Sequence, residues 1–189
     1  MQAVSDEQLI QWVAAGDASC LGTLFERHHN GVYQFCLQMT RQRAASEDLT
    51  QDVFMRLLQK ANTFRGEGSF KAWMFNIARN VALDHLRSGQ RRNTHTGADD
   101  AMDAYLVDNR SAEQDASGRE DLGFLAAALA RLPEAAREVI WLGRFEFDSY
   151  DELGRALGCN AGAARVRMHR AMRLLHEQYD TLNGVTANA

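Results

Sequence analysis

Across residues 46–92, apolar side chains return at helical spacing in two successive runs separated by one short glycine-containing loop. No other stretch constrains the fold as much. In the first run Leu49, Val53, Phe54, Leu57 and Leu58 fall on one side of a helix, with Ser46 as the predicted N-cap and Glu47 and Asp48 in the first turn. The other side carries Asp48, Gln51, Asp52, Met55 and Gln59. Such a face is either plainly solvated or suited to docking on a basic helical partner, because two carboxylates and an amide surround an exposed methionine. Residues 62–70 read as a loop bracketed by Phe64 and Phe70, with Arg65 between them. In the second run Met74, Ile77, Ala78 and Val81 form a core face, while Trp73, Asn76, Asn80, Asp84, Arg87 and Arg91 share another sector. That sector offers stacking, amide hydrogen bonds to base edges and phosphate neutralisation. With Phe64 and Phe70, each of which taken singly fits a core position, it describes a surface for unstacked bases.

The rest of the chain is helical by the same criteria. One proline in 189 residues and few β-branched runs leave little to break or replace helices. Ser5 with Gln8 forms a capping box before the stripe Leu9, Ile10, Trp12 and Val13, and Gly16 ends that helix. A second helix is predicted over residues 18–41, burying Leu21, Leu24, Phe25, Val32, Phe35, Cys36 and Met39. Residues 93–119 have no sustained period and hold 6 Asp and Glu against 2 Arg, so they read as a flexible acidic linker. An anionic strand of this kind serves as a solubilising connection or lies in a basic channel that later holds nucleic acid.

From residue 120 a second helical unit begins with Leu122, Leu125, Ala126, Leu129 and Leu132. Pro133 opens the next helix. Ser149 and Glu152 cap a short helix that Gly158 closes, and another helix follows at once over residues 161–176. Gly154 permits close approach of the two, as in a helix-turn-helix. Arg165, Arg167, His169, Arg170 and Arg173 would then face a major groove and its phosphates, with Val166, Ala171 and Leu174 or Leu175 as anchors. The plainer reading is a charged amphipathic helix in a bundle. The predicted fold class is all-α: two small helical domains, residues 1–92 and 120–180, joined by the linker 93–119 and followed by a frayed tail, 181–189.

A formal net charge of −4 is unusual for a nucleic-acid binder, yet it is unevenly distributed. Residues 1–92 hold 11 Lys and Arg against 9 Asp and Glu, while residues 93–121 hold 2 against 8. The acidity belongs to the linker, and basic clusters remain around Arg87, Arg91 and Arg92 and along the last helix. Neither a secretory leader nor an apolar run of membrane-spanning length is visible, and Cys20, Cys36 and Cys159 form no Cys-x-x-Cys pair, so an intracellular, cytoplasmic location is expected. His28, His29 and Cys36 lack metal-ligand spacing, and Asp48 with Asp52 offers too few ligands for a cation. No nucleophile with a base and no phosphate-cradling loop stands out, so no enzyme, metal or cofactor is expected. A conventional helix-turn-helix regulator acting on duplex DNA leaves the aromatic loop and acidic helix without a role. A protein-binding adaptor leaves both basic clusters unexplained.

Three ordered blocks carry a resemblance. They are Ser46-Glu47-Asp48-Leu49-Thr50-Gln51-Asp52-Val53-Phe54, then Phe70-Lys71-Ala72-Trp73 through Asn80 with Asp84-His85-Leu86-Arg87, then Leu132-Pro133 through Ser149-Tyr150-Asp151-Glu152-Leu153 to Arg170-Ala171. Over nearly its whole length the chain resembles the bacterial extracytoplasmic-function sigma factors of RNA polymerase. The resemblance implies that Asp48, Gln51, Asp52 and Met55 bind core polymerase at the β′ clamp helices. Phe64, Arg65, Phe70, Trp73, Asn76, Asn80, Arg87 and Arg91 would hold the melted −10 element, including a flipped base. Arg165, Arg167, His169, Arg170 and Arg173 would read the −35 duplex. The linker would thread through the polymerase, whose β and β′ subunits are the implied partners along with promoter DNA. The polymerase supplies the catalytic magnesium, and an anti-sigma factor is the expected regulator. The chain departs from the family where Ala163 and Val166 replace two hydroxyl residues and Asp148 replaces a glycine, so its −35 preference is not carried over from relatives.

Overall fold

A computed structural model describes residues 4–66, 68–92 and 116–186, with side chains placed for 4–66, 68–89 and 122–184. Among the described residues every regular element is helical. The first unit comprises α1 (Asp6–Ala14), α2 (Cys20–Thr40), α3 (Arg43–Lys60), a 3₁₀ turn (Ala61–Thr63) and α4 (Phe70–Arg92). The second comprises α5 (Ala116–Arg131), α6 (Glu134–Trp141), a π-helical turn (Leu142–Glu146), α7 (Tyr150–Ala156) and α8 (Ala161–Thr186). The Ser5–Gln8 capping box forms, each bond 3.3 Å long. Gly16, at φ 107°, provides the positive φ that lets the chain leave α1.

The core of the first unit is built from side chains returning at helical spacing. Ile10, Leu24, Val32, Phe35, Val53, Leu57, Phe70, Met74 and Phe75 are all buried, and each large one contributes about 1.5–3 kcal/mol by leaving water. In the second unit Ala128, Leu132, Val139, Leu142, Leu153, Ala164, Met168 and Ala171 play the same part. The two cores are continuous. Phe75 of α4 meets Phe35 on one side and Phe147, just after the π turn, on the other, both edge-on at 5.8 Å.

Several local expectations are corrected. Ser46 does not cap α3. The helix begins four residues earlier, after Gln42, because Arg43, Ala44 and Ala45 are good helix formers once the chain has left the left-handed Arg41. Ser46 is instead buried inside the helix, its hydroxyl donating to the Gln42 carbonyl at 2.6 Å. Trp12, Phe25 and Leu58 lie at the surface rather than in the core. The Phe25 ring stacks on His29 at 5.0 Å and meets Phe54 edge-on. Val166 does not anchor the last helix. The buried line there is Ala164, Met168, Ala171 and Leu175, which sets a phase that leaves Val166 49% exposed. Helix α5 starts inside the stretch read as linker, and α8 extends into the stretch read as tail. The remainder of the linker, residues 93–115, lies outside the described residues.

Candidate nucleic-acid interface

The polar side of α3 faces solvent. Asp48, Gln51 and Met55 are exposed, Met55 by 53%. Asp52 is half-buried and spans 3.2 Å to Arg56 one turn on, and Arg56 reaches Asp84 of α4 at 3.6 Å. This face is therefore a strip of carboxylate and amide around a methionine. Leu58 widens its apolar part.

The aromatic loop forms because the chain turns sharply between α3 and α4. Gly66 and Gly68 take φ of 72° and 101°, which L side chains rarely adopt. Phe64, Phe70 and Trp73 then gather, with ring centroids 5.3–6.2 Å apart. Their roles differ. Phe70 is wholly buried, with His28 against its ring and its backbone N–H donating to Glu7 Oε1 at 3.0 Å, so it cannot offer a face to a base. Phe64 and Trp73 are only partly covered, resting on Phe70 as on a floor. Arg65 beside them is exposed.

Along α4 the expected sector is present. Asn80 and Arg87 are exposed, and Asn80 Nδ2 donates to Asn76 Oδ1 at 3.3 Å. The side chain of Arg91 lies outside the described residues. Asn76 is not free: its Nδ2 donates to the carbonyls of Arg155 and Ala156 at the end of α7, at 3.4 and 3.2 Å. One edge of this face is covered by the second unit. Lys71 pairs with Glu146 at 2.7 Å and Arg79 with Glu138 at 2.5 Å. Burial pushes the Glu138 carboxyl up from its ordinary value, and Arg79 beside it only partly offsets this. Sequence reasoning passed over Lys71, Arg79, Glu138 and Glu146. The i, i+4 spacing of Lys71, Phe75 and Arg79 was visible, but nothing local tied it to carboxylates more than fifty residues away.

In the second unit Ser149 Oγ accepts from the Glu152 N–H at 3.2 Å, and Gly158 at φ 66° closes α7. Asn160 Oδ1 accepts from the Ala163 N–H at 2.8 Å and so caps α8. The close approach expected at Gly154 is real: a Cβ there would lie 2.7 Å from the Cys159 carbonyl oxygen. Arg165, Arg167, His169, Arg170 and Arg173 are all exposed on α8. The Arg165 guanidinium lies 5.2 Å over the Tyr150 ring, which holds it at the head of the helix. Among the described residues no group of His, Cys, Asp and Glu is arranged to hold a metal ion. No described helix is long and apolar enough to cross a membrane.

Both units match known family models. Residues 24–92 match the model of sigma-70 region 2 and residues 125–175 that of sigma-70 region 4. The extracytoplasmic-function sigma factor SigX of Bacillus subtilis is 31% identical, across 84% of this chain and 83% of its own. The sigma factor NccH of Alcaligenes xylosoxydans xylosoxydans is 33% identical, across 88% and 90%. BldN of Streptomyces coelicolor is 32% identical, and the chain spans 63% of its length. Among solved structures, CnrH in complex with the cytosolic domain of CnrY shares the fold, with TM-score 0.67 and 24% identity over 94% of this chain and 99% of that one. The sigma factor RpoE, in complex with the anti-sigma factor NepR from Bartonella quintana, aligns with TM-score 0.61 and 25% identity over 83% and 94%. Two sigma-70 regions in order on one helical chain, with relatives of this kind across most of its length, place it in the sigma-70 family of RNA polymerase sigma factors, in the extracytoplasmic-function branch.

Proposed function

We propose that the chain directs transcription initiation by binding core RNA polymerase and both promoter elements. The strip of exposed Asp48, Gln51 and Met55 with half-buried Asp52 docks on the β′ clamp helices, where carboxylates meet basic partners around a methionine contact. Phe64, Trp73, Asn76 and Asn80 hold the melted −10 strand by stacking and amide hydrogen bonds, with Arg65, Arg87 and Arg91 on its phosphates. The exposed arginines of α8 read the −35 duplex from the major groove. The residues perform no bond chemistry. Strand separation is driven by the free energy of holding unstacked bases, and the polymerase carries the catalytic magnesium. Control by an anti-sigma factor in the cytoplasm is part of this reading, supported by the likeness to an RpoE bound to its anti-sigma factor.

The observation that carries the proposal is the meeting of two half-open aromatics, Phe64 of the loop and Trp73 of α4, beside the linked amides of Asn76 and Asn80 on that helix. A duplex-only regulator has no use for such a face. Run-off transcription tests it: purified protein added to sigma-free core and promoter DNA from upstream of its own gene gives specific initiation, and Asp52→Arg abolishes it. Duplex binding without core, and no initiation with it, would instead mark a conventional regulator.

A further inference from the structure

At the centre of the basic face of α8 stands an apolar side chain. The buried line Ala164, Met168, Ala171 and Leu175 fixes the inner side of the helix. At about 100° per residue Val166 then points directly away from that line, at the middle of the outward face. His169, Arg170 and Arg173 follow it at i+3, i+4 and i+7, and Arg165 and Arg167 stand on either side, all of them exposed. Val166 takes no part in the core of the second unit.

Its surroundings leave its methyl groups open. A helical side chain leans toward the N-terminus, over the turn before its own Cα. Gly162 and Ala163 stand there, and neither covers it. A Cβ at Gly162 would meet only Asn160 Oδ1, at 3.4 Å, so the space above that turn is clear. The turn itself is held in place: Asn160 Oδ1 accepts from the Ala163 N–H at 2.8 Å, and the Arg165 guanidinium rests over Tyr150 at 5.2 Å. Branching at Cβ also leaves valine one strongly preferred χ1 in a helix. The two methyls therefore make a small, fixed apolar surface near the start of the helix, the end that meets base edges in a recognition helix.

The chemistry of the major groove decides what such a surface can recognise. Most base edges there are hydrogen-bond donors or acceptors, and valine satisfies none of them. Pressed against adenine N6, cytosine N4 or guanine O6, it would strip water from a polar group and return no bond. The groove presents one apolar group, the thymine C5-methyl, and that group gains from the same contact. We infer that Val166 is a specificity-determining residue of the −35 contact: its methyls pack on a thymine C5-methyl, while the arginines around it hold phosphates and neighbouring base edges. The preference is this chain's own, because Val166 replaces a hydroxyl residue of the family. It rests on the reading of α8 as the duplex-reading helix.

The test uses holoenzyme, the full-length protein on core polymerase, and fluorescence anisotropy with labelled promoter duplex from upstream of its own gene. Each thymine of the upstream element is replaced in turn by deoxyuridine, which removes the C5-methyl and leaves the base pairing intact. One replacement should weaken binding by wild-type holoenzyme about fourfold, the loss expected for one buried methyl-sized group. Val166→Ser should bind that thymine duplex and its uracil counterpart alike, and Val166→Ile should keep the difference. If no replacement weakens wild-type binding, or if Val166→Ser keeps the full thymine preference, the inference is overturned. Loss of core affinity in Val166→Ser would place the valine against polymerase and overturn it equally. Arg170→Ala on the unmodified duplex separates the failures. Weaker binding with a smaller salt dependence leaves the reading of α8 standing, and unchanged binding sinks that reading as well.

Discussion

The Arg79 guanidinium on α4 lies 2.5 Å from the Glu138 carboxylate on α6, and Glu138 is only 4% exposed. Truncating one member of such a pair leaves the other charged in a dry seam, at a cost of about 3 kcal/mol unless the seam opens first. Arg79→Ala, which strands the buried Glu138, is therefore expected to be more damaging than Arg79→Ala/Glu138→Ala. Urea unfolding of the two singles, the double and the wild type checks this through a coupling of about 1–3 kcal/mol. Strict additivity would mean that the two side chains do not stabilise each other.

The same carboxylate sets a pH dependence opposite in sign to that of an ordinary paired acid. Its value is raised in the folded chain by burial. Below that raised value the folded state has taken up a proton that the unfolded state has not, so this group's contribution to stability grows as pH falls toward the ordinary carboxylate range. The melting temperature of the wild type should thus gain on that of Glu138→Gln between about pH 7 and about pH 5. A relative loss over that window would show that the Arg79 attraction, and not desolvation, dominates.

Phe70 belongs to the core although it stands at the edge of a loop expected to meet DNA. With no exposed surface and contacts to His28, Phe64 and Trp73, it supports the two rings that remain accessible. Phe70→Ala should cost about 3–5 kcal/mol of unfolding free energy. Phe64→Ala should cost far less stability while weakening strand binding. Equal losses of stability in denaturant titrations would place Phe64 in the core as well.

Gly154 is the tightest point of the helix-turn-helix. The atoms a Cβ would meet, Cys159 O at 2.7 Å and Asn160 C at 3.0 Å, are backbone and cannot swing aside. Gly154→Ala should push α8 away from α7, costing about 1–3 kcal/mol and weakening −35 duplex binding. Binding of core through α3 should be unaffected. Wild-type duplex affinity in this variant would show that the turn relaxes without moving the arginines.

Much of this was legible in the residues because it depends on local spacing. The Ser5–Gln8 box, the Ser149 cap, the left-handed Gly158 and the close approach at Gly154 all follow from neighbours within a few positions. So does the division of α4 into two faces, and the exposure of the α8 arginines. The phase of α8 and the start of α3 were less legible. Val166 is apolar but yields its place to the line through Ala164 and Met168, and the alanines before Ser46 carry the helix back past the serine to Arg43.

By itself, then, the sequence determined the helices of the described residues: one with an acidic exposed face, an aromatic loop before a two-faced helix, and a basic second helix of a helix-turn-helix. Each of these is a matter of period, capping and side-chain chemistry over one or two turns. Only the tertiary structure decided which aromatic is a floor and which an open ring, and that Lys71, Asn76 and Arg79 are already occupied. The reason is physical: burial of Phe70 and pairing of Arg79 with Glu138 depend on surfaces brought together across long stretches of chain, and no local spacing encodes that meeting.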